Sequence, residues 1–187
     1  MDQLTKMADN KTETKTSKAS QTLKPAVKTA LVPKIFAVIR IRGEVGVNHK
    51  IAATLELLRL HKKHRCVVIP GTENYMGMIS KVKDYCTFGE VSEDTVKDLL
   101  TNRGRIVGDT VLTSDFLRKS KLTFETFAKK ILSGELKIKD IEGVKPFFKL
   151  SPPRGGFERG GIKKPYSMRG VLGYRGPEIN KLLRRMM

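Results

Sequence analysis

The chain has 187 residues, with 37 Lys and Arg against 19 Asp and Glu, which gives a formal net charge of +18. This length suits one domain with appendages or two small domains, and the positive charge favours a polyanionic partner, with nucleic acid as the first candidate. No apolar run approaches the roughly 18 residues of a membrane span, and the N-terminus lacks a signal-peptide core. We therefore expect a cytoplasmic protein with no membrane partner.

Residues 35–89 form the predicted core, in the order strand, helix, strand, helix, strand. In the first strand, residues 35–42, every odd-numbered residue is apolar, whereas the even-numbered residues end in Arg40 and Arg42. Two helices cover one face of a three-stranded sheet, so we expect the face that bears Arg40 and Arg42 to be open for binding.

Capping residues and turn residues separate the elements of this core. Asn48 is the expected N-cap of the first helix and Asn74 that of the second. A basic loop, residues 61–65, precedes an apolar strand at residues 66–69, and residues 84–88 supply the third strand. The two cysteines, Cys66 and Cys86, fall inside strands, so buried thiols are expected rather than a disulfide scaffold or a metal site.

The flanking segments differ in composition from the core. Residues 1–34 are rich in Lys, Thr and Ser and are expected to be a flexible basic N-terminal extension. Residues 90–148 predict a helical annex packed on the core, with helices that start at Ser92 and Thr123 and end at Gly104 and Gly134.

Residues 149–187 carry ten basic and two acidic residues and many glycines. With few apolar groups, this segment is expected to be a basic C-terminal tail that threads through RNA and becomes ordered only there. A short final helix that starts after Pro177 is compatible with the sequence.

Several short motifs of the core and of the flanking segments resemble those of a known family. Arg40, Thr54-Leu55, the Leu60–His64 loop, Gly77-Met78-Ile79 and Lys81–Tyr85 are similar to the large-subunit ribosomal protein family L thirty, called L seven in eukaryotes. Three further motifs match the archaeal and eukaryotic branch, namely Asn102–Arg105, Ser151–Arg154 and Leu172–Gly176.

The resemblance implies an α+β, ferredoxin-like related fold, in which a three-stranded antiparallel sheet has the strand order three, one, two and two helices on one face. It also adds weight to Arg40, His61, Lys62 and His64 as RNA contacts. The N-terminal extension departs from that of the eukaryotic relatives, which is long, strongly basic and helical, so a function carried by such a helix is in doubt here.

The candidate RNA-binding residues are basic side chains, preferentially arginines because a guanidinium binds phosphate bidentately and stacks on bases. They are Arg40, Arg42, Arg59, His61, Lys62, Lys63, His64, Arg65, Lys81, Lys83, Arg103, Arg105, Arg154, Arg159, Lys163, Lys164, Arg169 and Arg175. Solvated surface charge is the alternative for any of them.

Sites of other kinds have weaker support in the sequence. His61 and His64 lack carboxylate or thiolate companions for a metal, and Glu93, Asp94 and Asp98 are explained by an exposed helix start. The glycines form neither a dinucleotide fingerprint nor a P-loop. We therefore expect no cofactor, no metal and no small-molecule substrate.

The sequence favours a structural constituent of the large ribosomal subunit that contacts rRNA and neighbouring ribosomal proteins without catalysis. A free-standing RNA-binding or ribosome-assembly module is the alternative, and it would need exposed aromatic residues to stack single-stranded bases. A nucleic-acid-processing enzyme is a third class, and it would need an acidic metal set or a nucleophile with a base.

Overall fold

Five strands form one mixed sheet in the part of the chain that the computed structural model describes, residues 34–120 and 122–187. The strands are β1 Ile35–Arg40, β2 Arg65–Pro70, β3 Cys86–Glu90, β4 Phe148–Lys149 and β5 Gly173–Tyr174. The α-helices are α1 His49–Leu57, α2 Glu73–Val82, α3 Glu93–Arg103, α4 Ser114–Lys119, α5 Phe124–Ser133 and α6 Ile179–Met186. The protein is therefore of the α+β class. The predicted N-terminal extension lies outside the described residues except for Lys34.

The sheet has the order β4-β2-β1-β3-β5. β1 pairs antiparallel with both β2 and β3, as the expected order three, one, two requires. The expected number of three strands is wrong, because β4 pairs antiparallel with β2 and β5 pairs parallel with β3. The sequence is compatible with a short extended piece at residues 144–150, which contains β4, but strands of only two residues give no pattern that indicates pairing with the sheet.

Both faces of the central sheet are covered, so the expected open face is wrong. Phe36 and Val38 of β1 pack with α1 and α2 in one apolar cluster. On the opposite face, Ala37, Ile39 and Ile41 belong to a second cluster that contains buried residues of α3, α5 and α6. The sheet is the middle layer of three because the annex and the C-terminal segment supply the second cover.

Local capping agrees with several of the predicted helix boundaries. The Asn48 side chain accepts a hydrogen bond from the backbone N–H of Lys50 at 3.0 Å, and Thr123 forms a capping box with Thr126. Gly134 ends α5 in the left-handed region, with φ of 78°. The predicted cap Asn74 is wrong, since α2 begins at Glu73 after Thr72.

The C-terminal segment belongs to the same core, contrary to the expectation that it has too few apolar groups to form one. Ile179, Leu182, Leu183 and Met186 of α6 are all buried in the cluster beneath α3 and α5. Gly89 of β3 lies so close to the segment that an added Cβ would come within 2.1 Å of the Gly176 carbonyl oxygen. The four apolar residues of α6 recur at spacings of three, one and three, which places them on one helix face.

Candidate nucleic-acid interface

Arg40 lies at the end of β1 and is only 3% exposed. Its Nη1 donates to the carbonyl oxygens of Leu60 and His61 at 2.7 and 2.6 Å. Its Nε and Nη2 donate to the carbonyl oxygens of Arg42 and Gly43 at 3.0 and 2.9 Å. These bonds occupy the guanidinium, so Arg40 anchors two loops instead of presenting its charge to a phosphate, and its prediction as an RNA contact is corrected.

The loop after α1 is held in a defined shape by these bonds and by its own backbone. Arg59 and His64 both have positive φ, 59° and 61°, and Leu60 is fully buried between them. The His64 backbone N–H donates to the Arg40 carbonyl oxygen at 2.8 Å. Because Leu60 is fixed inside, the side chains of His61, Lys62 and Lys63 lie on the surface.

His64 and Arg65 follow this loop and are half-buried. The His64 ring stacks on Phe157, with centroids 6.2 Å apart, and burial together with the nearby Lys63 lowers the pKa of His64. The Arg65 guanidinium lies 4.4 Å from the centroid of the Phe147 ring. Neutral His64 is therefore a packing residue at pH 7, and its predicted phosphate contact is not supported by this geometry.

Arg175 is the second predicted contact that the structure buries. Its guanidinium forms a bidentate ion pair with Glu158, at 2.5 and 3.0 Å, and lies 4.5 Å from the centroid of the Tyr166 ring. The Arg175 bonds lower the pKa of the Glu158 carboxyl. Arg175 therefore fastens the C-terminal segment to itself, and its prediction as an RNA contact is corrected.

The remaining predicted cations are accessible to different degrees. Arg42, Arg103 and Arg105 are half-exposed. The fully exposed ones are Arg59, Lys62, Lys63, Lys81, Lys83, Arg154, Arg159, Lys163, Lys164 and Arg169. Within residues 34–120 and 122–187, Arg40 and Arg175 are the members of the predicted set that form ion pairs. In the part of the chain that the structure describes, the exposed members are therefore not engaged with a carboxylate.

Three surface grooves bring some of these residues together. Arg40, His61 and Lys62 line the first, although the Arg40 side chain is committed to backbone carbonyls. Arg42, Lys83 and Lys163 line the second. Arg103 and Arg154 line the third, where Arg103 Nη2 also donates to Ser151 Oγ at 2.7 Å.

Arg184 was missed in the sequence, although it is exposed and lines the third groove with Arg103 and Arg154. The helical periodicity of α6 would have revealed it, because Arg184 lies outside the buried stripe of Ile179, Leu182, Leu183 and Met186. Other cations are already neutralised. Hydrogen bonds from Lys145 and Lys149 lower the pKa of Asp109 to about 2.

The described ranges contain few residues suited to other kinds of site. No group of three or more His, Cys, Asp or Glu residues is arranged there to hold a metal ion. Cys66 and Cys86 are buried and unpaired, and burial raises the pKa of the Cys86 thiol to about 12. None of the helices in these ranges is long and apolar enough to cross a membrane.

Comparison with known proteins shows which family this chain resembles. The family model described as ribosomal protein L30p/L7e matches residues 36–86. The large ribosomal subunit protein uL30 of Methanococcus maripaludis strain C5 is 50% identical over 153 residues, which cover 81% of this chain and 99% of that protein. The proteins of the same name from Archaeoglobus fulgidus and Methanopyrus kandleri are 47% and 46% identical, over 81% and 79% of this chain and 99% and 100% of their own lengths.

The fold and the surface define a small basic α+β protein whose central strand is covered on both faces and whose exterior carries many cations. Its similarity to the uL30 proteins extends well beyond the matched core, over about four-fifths of the chain. The chain belongs to the ribosomal protein L30p/L7e family.

Proposed function

We propose that the protein is a structural constituent of the large ribosomal subunit and binds folded rRNA through exposed cations on a rigid body, without catalysis. The observation that carries the proposal is the set of exposed, unpaired Lys and Arg residues among the described ones, together with membership of a ribosomal protein family. Its partners are rRNA and neighbouring ribosomal proteins, and its place is the cytoplasmic ribosome.

The physical mechanism is counterion release. A lysine that already pairs with a carboxylate contributes little, whereas an unpaired surface lysine displaces a cation that is condensed on the RNA. Lys62 and Lys63 are such residues, and Arg40 fixes the loop that presents them by donating to the carbonyl oxygens of Leu60 and His61. Because that loop is ordered before binding, little conformational entropy is lost when RNA docks on it.

The proposed RNA surface includes residues 154–169, the exposed part of the C-terminal segment. Arg154, Arg159, Lys163, Lys164 and Arg169 all lie there on the surface. Residues on either side belong to the core, so this stretch is held at both ends. We also propose that the β1-α1-β2-α2-β3 unit is related to the ferredoxin-like fold, which the strand order and antiparallel pairing support.

The test is the salt dependence of binding to large-subunit rRNA fragments. For about six phosphate contacts, the slope of log affinity against log salt is on the order of −4 to −5. The double variant Lys62→Ala/Lys63→Ala should make this slope shallower by roughly 1.5. A slope near zero for the unmodified protein would refute electrostatic RNA binding.

A matched control removes the same formal charge from lysines that are already paired. Lys97 pairs with Glu125, and Lys181 pairs with Glu178. The variant Lys97→Ala/Lys181→Ala should leave the slope nearly unchanged. If both variants weaken binding equally, total charge and not the exposed loop governs the interaction.

A further inference from the structure

The second of the three grooves contains aromatic rings as well as cations. It lies between the turn that joins α2 to β3, residues 83–85, and the C-terminal stretch of residues 163–174. Arg42, Lys83 and Lys163 line it together with Tyr85, Tyr166 and Tyr174. We call it the tyrosine groove.

The three cations of the tyrosine groove form no ion pair within the described ranges. The carboxylate-bearing residue Asp84 also lines the groove, and its backbone carbonyl oxygen accepts a long hydrogen bond from Arg42 Nη1, at 3.4 Å. Lys83 and Lys163 are exposed and come from the two different segments that line the groove. The walls are therefore able to receive phosphates that flank a bound group.

The three tyrosine rings are not equivalent. Arg42 lies 4.9 Å from the Tyr85 centroid and Arg175 lies 4.5 Å from the Tyr166 centroid, so each of these rings already has a cation on one face. The Tyr174 ring packs on Phe88, at 5.6 Å between centroids and with a tilt of 48°, and no Lys or Arg among the described residues lies over its face. Tyr174 is nevertheless 55% exposed.

The backbone that carries the exposed Tyr174 ring is held in place by its pairing in the sheet. Tyr174 is the second residue of β5, which pairs with Phe88 of β3, and its own neighbour Arg175 donates its backbone N–H to the Phe88 carbonyl oxygen at 2.8 Å. Gly173, with φ of 83°, leaves the groove wall without a side chain directly beside the ring. The position of the Tyr174 backbone is thus fixed by β5, and open space lies next to Gly173.

We propose that the tyrosine groove binds an unpaired RNA nucleotide, whose base stacks on Tyr174 while its flanking phosphates contact Lys83 and Lys163. The inference rests on the proposed function and adds a kind of recognition to it, because counterion release by itself does not distinguish paired from unpaired RNA. An acidic peptide would satisfy the cations but offers no planar base for the ring, so the observations favour the nucleotide.

The experiment uses the full chain and two RNA hairpins that differ by one bulged 2-aminopurine, whose fluorescence reports stacking. Because one base–aromatic stack changes affinity by roughly fivefold to a hundredfold, the protein should prefer the bulged hairpin by about fivefold or more. Tyr174→Ala should abolish the preference and the fluorescence change, and Tyr174→Phe should keep both. Tyr75→Ala, which removes a half-buried tyrosine that lines a different groove, should change neither.

The outcomes separate the two proposals. Salt-dependent binding to both hairpins without a bulge preference, or a preference that survives in Tyr174→Ala, would overturn the nucleotide site and leave RNA binding intact. Failure to bind either hairpin would refute the proposed function and the site with it. Tyr174-dependent binding of an oligoglutamate peptide, with no such dependence for RNA, would also overturn the site in favour of an acidic protein partner.

Discussion

The packing of α6 on the core predicts that Leu183→Ala destabilises the isolated protein strongly. Leu183 is 0% exposed and lies in the cluster that contains α3, α5 and one face of β1. Replacing a buried leucine by alanine removes transfer free energy and leaves a cavity, which costs about 2–5 kcal/mol. With a urea m-value of about 2 kcal/mol/M, the unfolding midpoint should fall by about 1–2.5 M.

The matched control is Arg184→Ala, on the exposed side of the same helix, which should change the free energy of unfolding by less than about 0.5 kcal/mol. Urea titration followed by circular dichroism measures both variants without RNA. Hydrogen exchange of the α6 amides should show protection in the unmodified protein and less in Leu183→Ala. A loss below about 0.5 kcal/mol for Leu183→Ala, with unprotected α6 amides, would refute the packing and restore a tail that orders only on RNA.

Three further predictions concern a cap, an ion pair and the thiols. Thr123→Ala should destabilise the protein by about 1 kcal/mol in urea titrations, because the Thr123 side chain accepts a hydrogen bond from the Thr126 backbone N–H. Ser92→Ala should cost less, because Ser92 Oγ bonds the Thr95 side chain and not a backbone N–H of α3. Arg175 lowers the pKa of Glu158, so the stabilisation of the folded protein by this ion pair is complete above the unfolded-state pKa of about 4.3 and is lost as the pH falls through the lower folded-state pKa. Glu158→Gln removes this titrating group and should therefore make the free energy of unfolding depend less on pH in acid. Cys66 and Cys86, buried with raised pKa values, should react with a thiol reagent only after unfolding, and rapid reaction of the folded protein would contradict their burial.

The central strands and their first two helices could be predicted because their signals are local. The alternation in residues 35–42 identifies β1, and the Asn48 cap and its following apolar spacing identify α1. The same alternation did not reveal which helices cover each face of β1. Phe36 and Val38 are covered by α1 and α2, while the odd-numbered face is covered by α3, α5 and α6.

The burial of Arg40 could not be predicted from its position in a strand. Its four acceptors are the carbonyl oxygens of Arg42, Gly43, Leu60 and His61, which come from two loops and are brought together only by the fold. Likewise, Arg175 and Glu158 are 17 residues apart, and no periodic signal in the sequence links them. Basic residues whose partners are local or absent, such as Lys62 and Lys63, were easier to place on the surface.

The C-terminal segment has the glycine-rich, basic composition of a flexible tail, yet it packs in the core and adds a strand to the sheet. β5 pairs Gly173 and Tyr174 with Thr87 and Phe88 across a long sequence separation. Two residues of parallel pairing leave no pattern in the sequence, and the glycines that suggested flexibility include Gly170, where an added Cβ would come within 2.1 Å of the Lys164 carbonyl oxygen. Such glycines are required by close backbone packing rather than by disorder.

The central claim, that the chain is an RNA-bound constituent of the large ribosomal subunit, is tested most directly by sedimentation of a cell extract. Ribosomal subunits are separated on a gradient after a high-salt wash, and the protein is quantified by mass spectrometry in each fraction. We expect the protein to migrate with the large subunit, near one copy per subunit, and to move to light fractions when the extract is treated with ribonuclease. Migration only with light fractions before ribonuclease treatment would contradict the central claim.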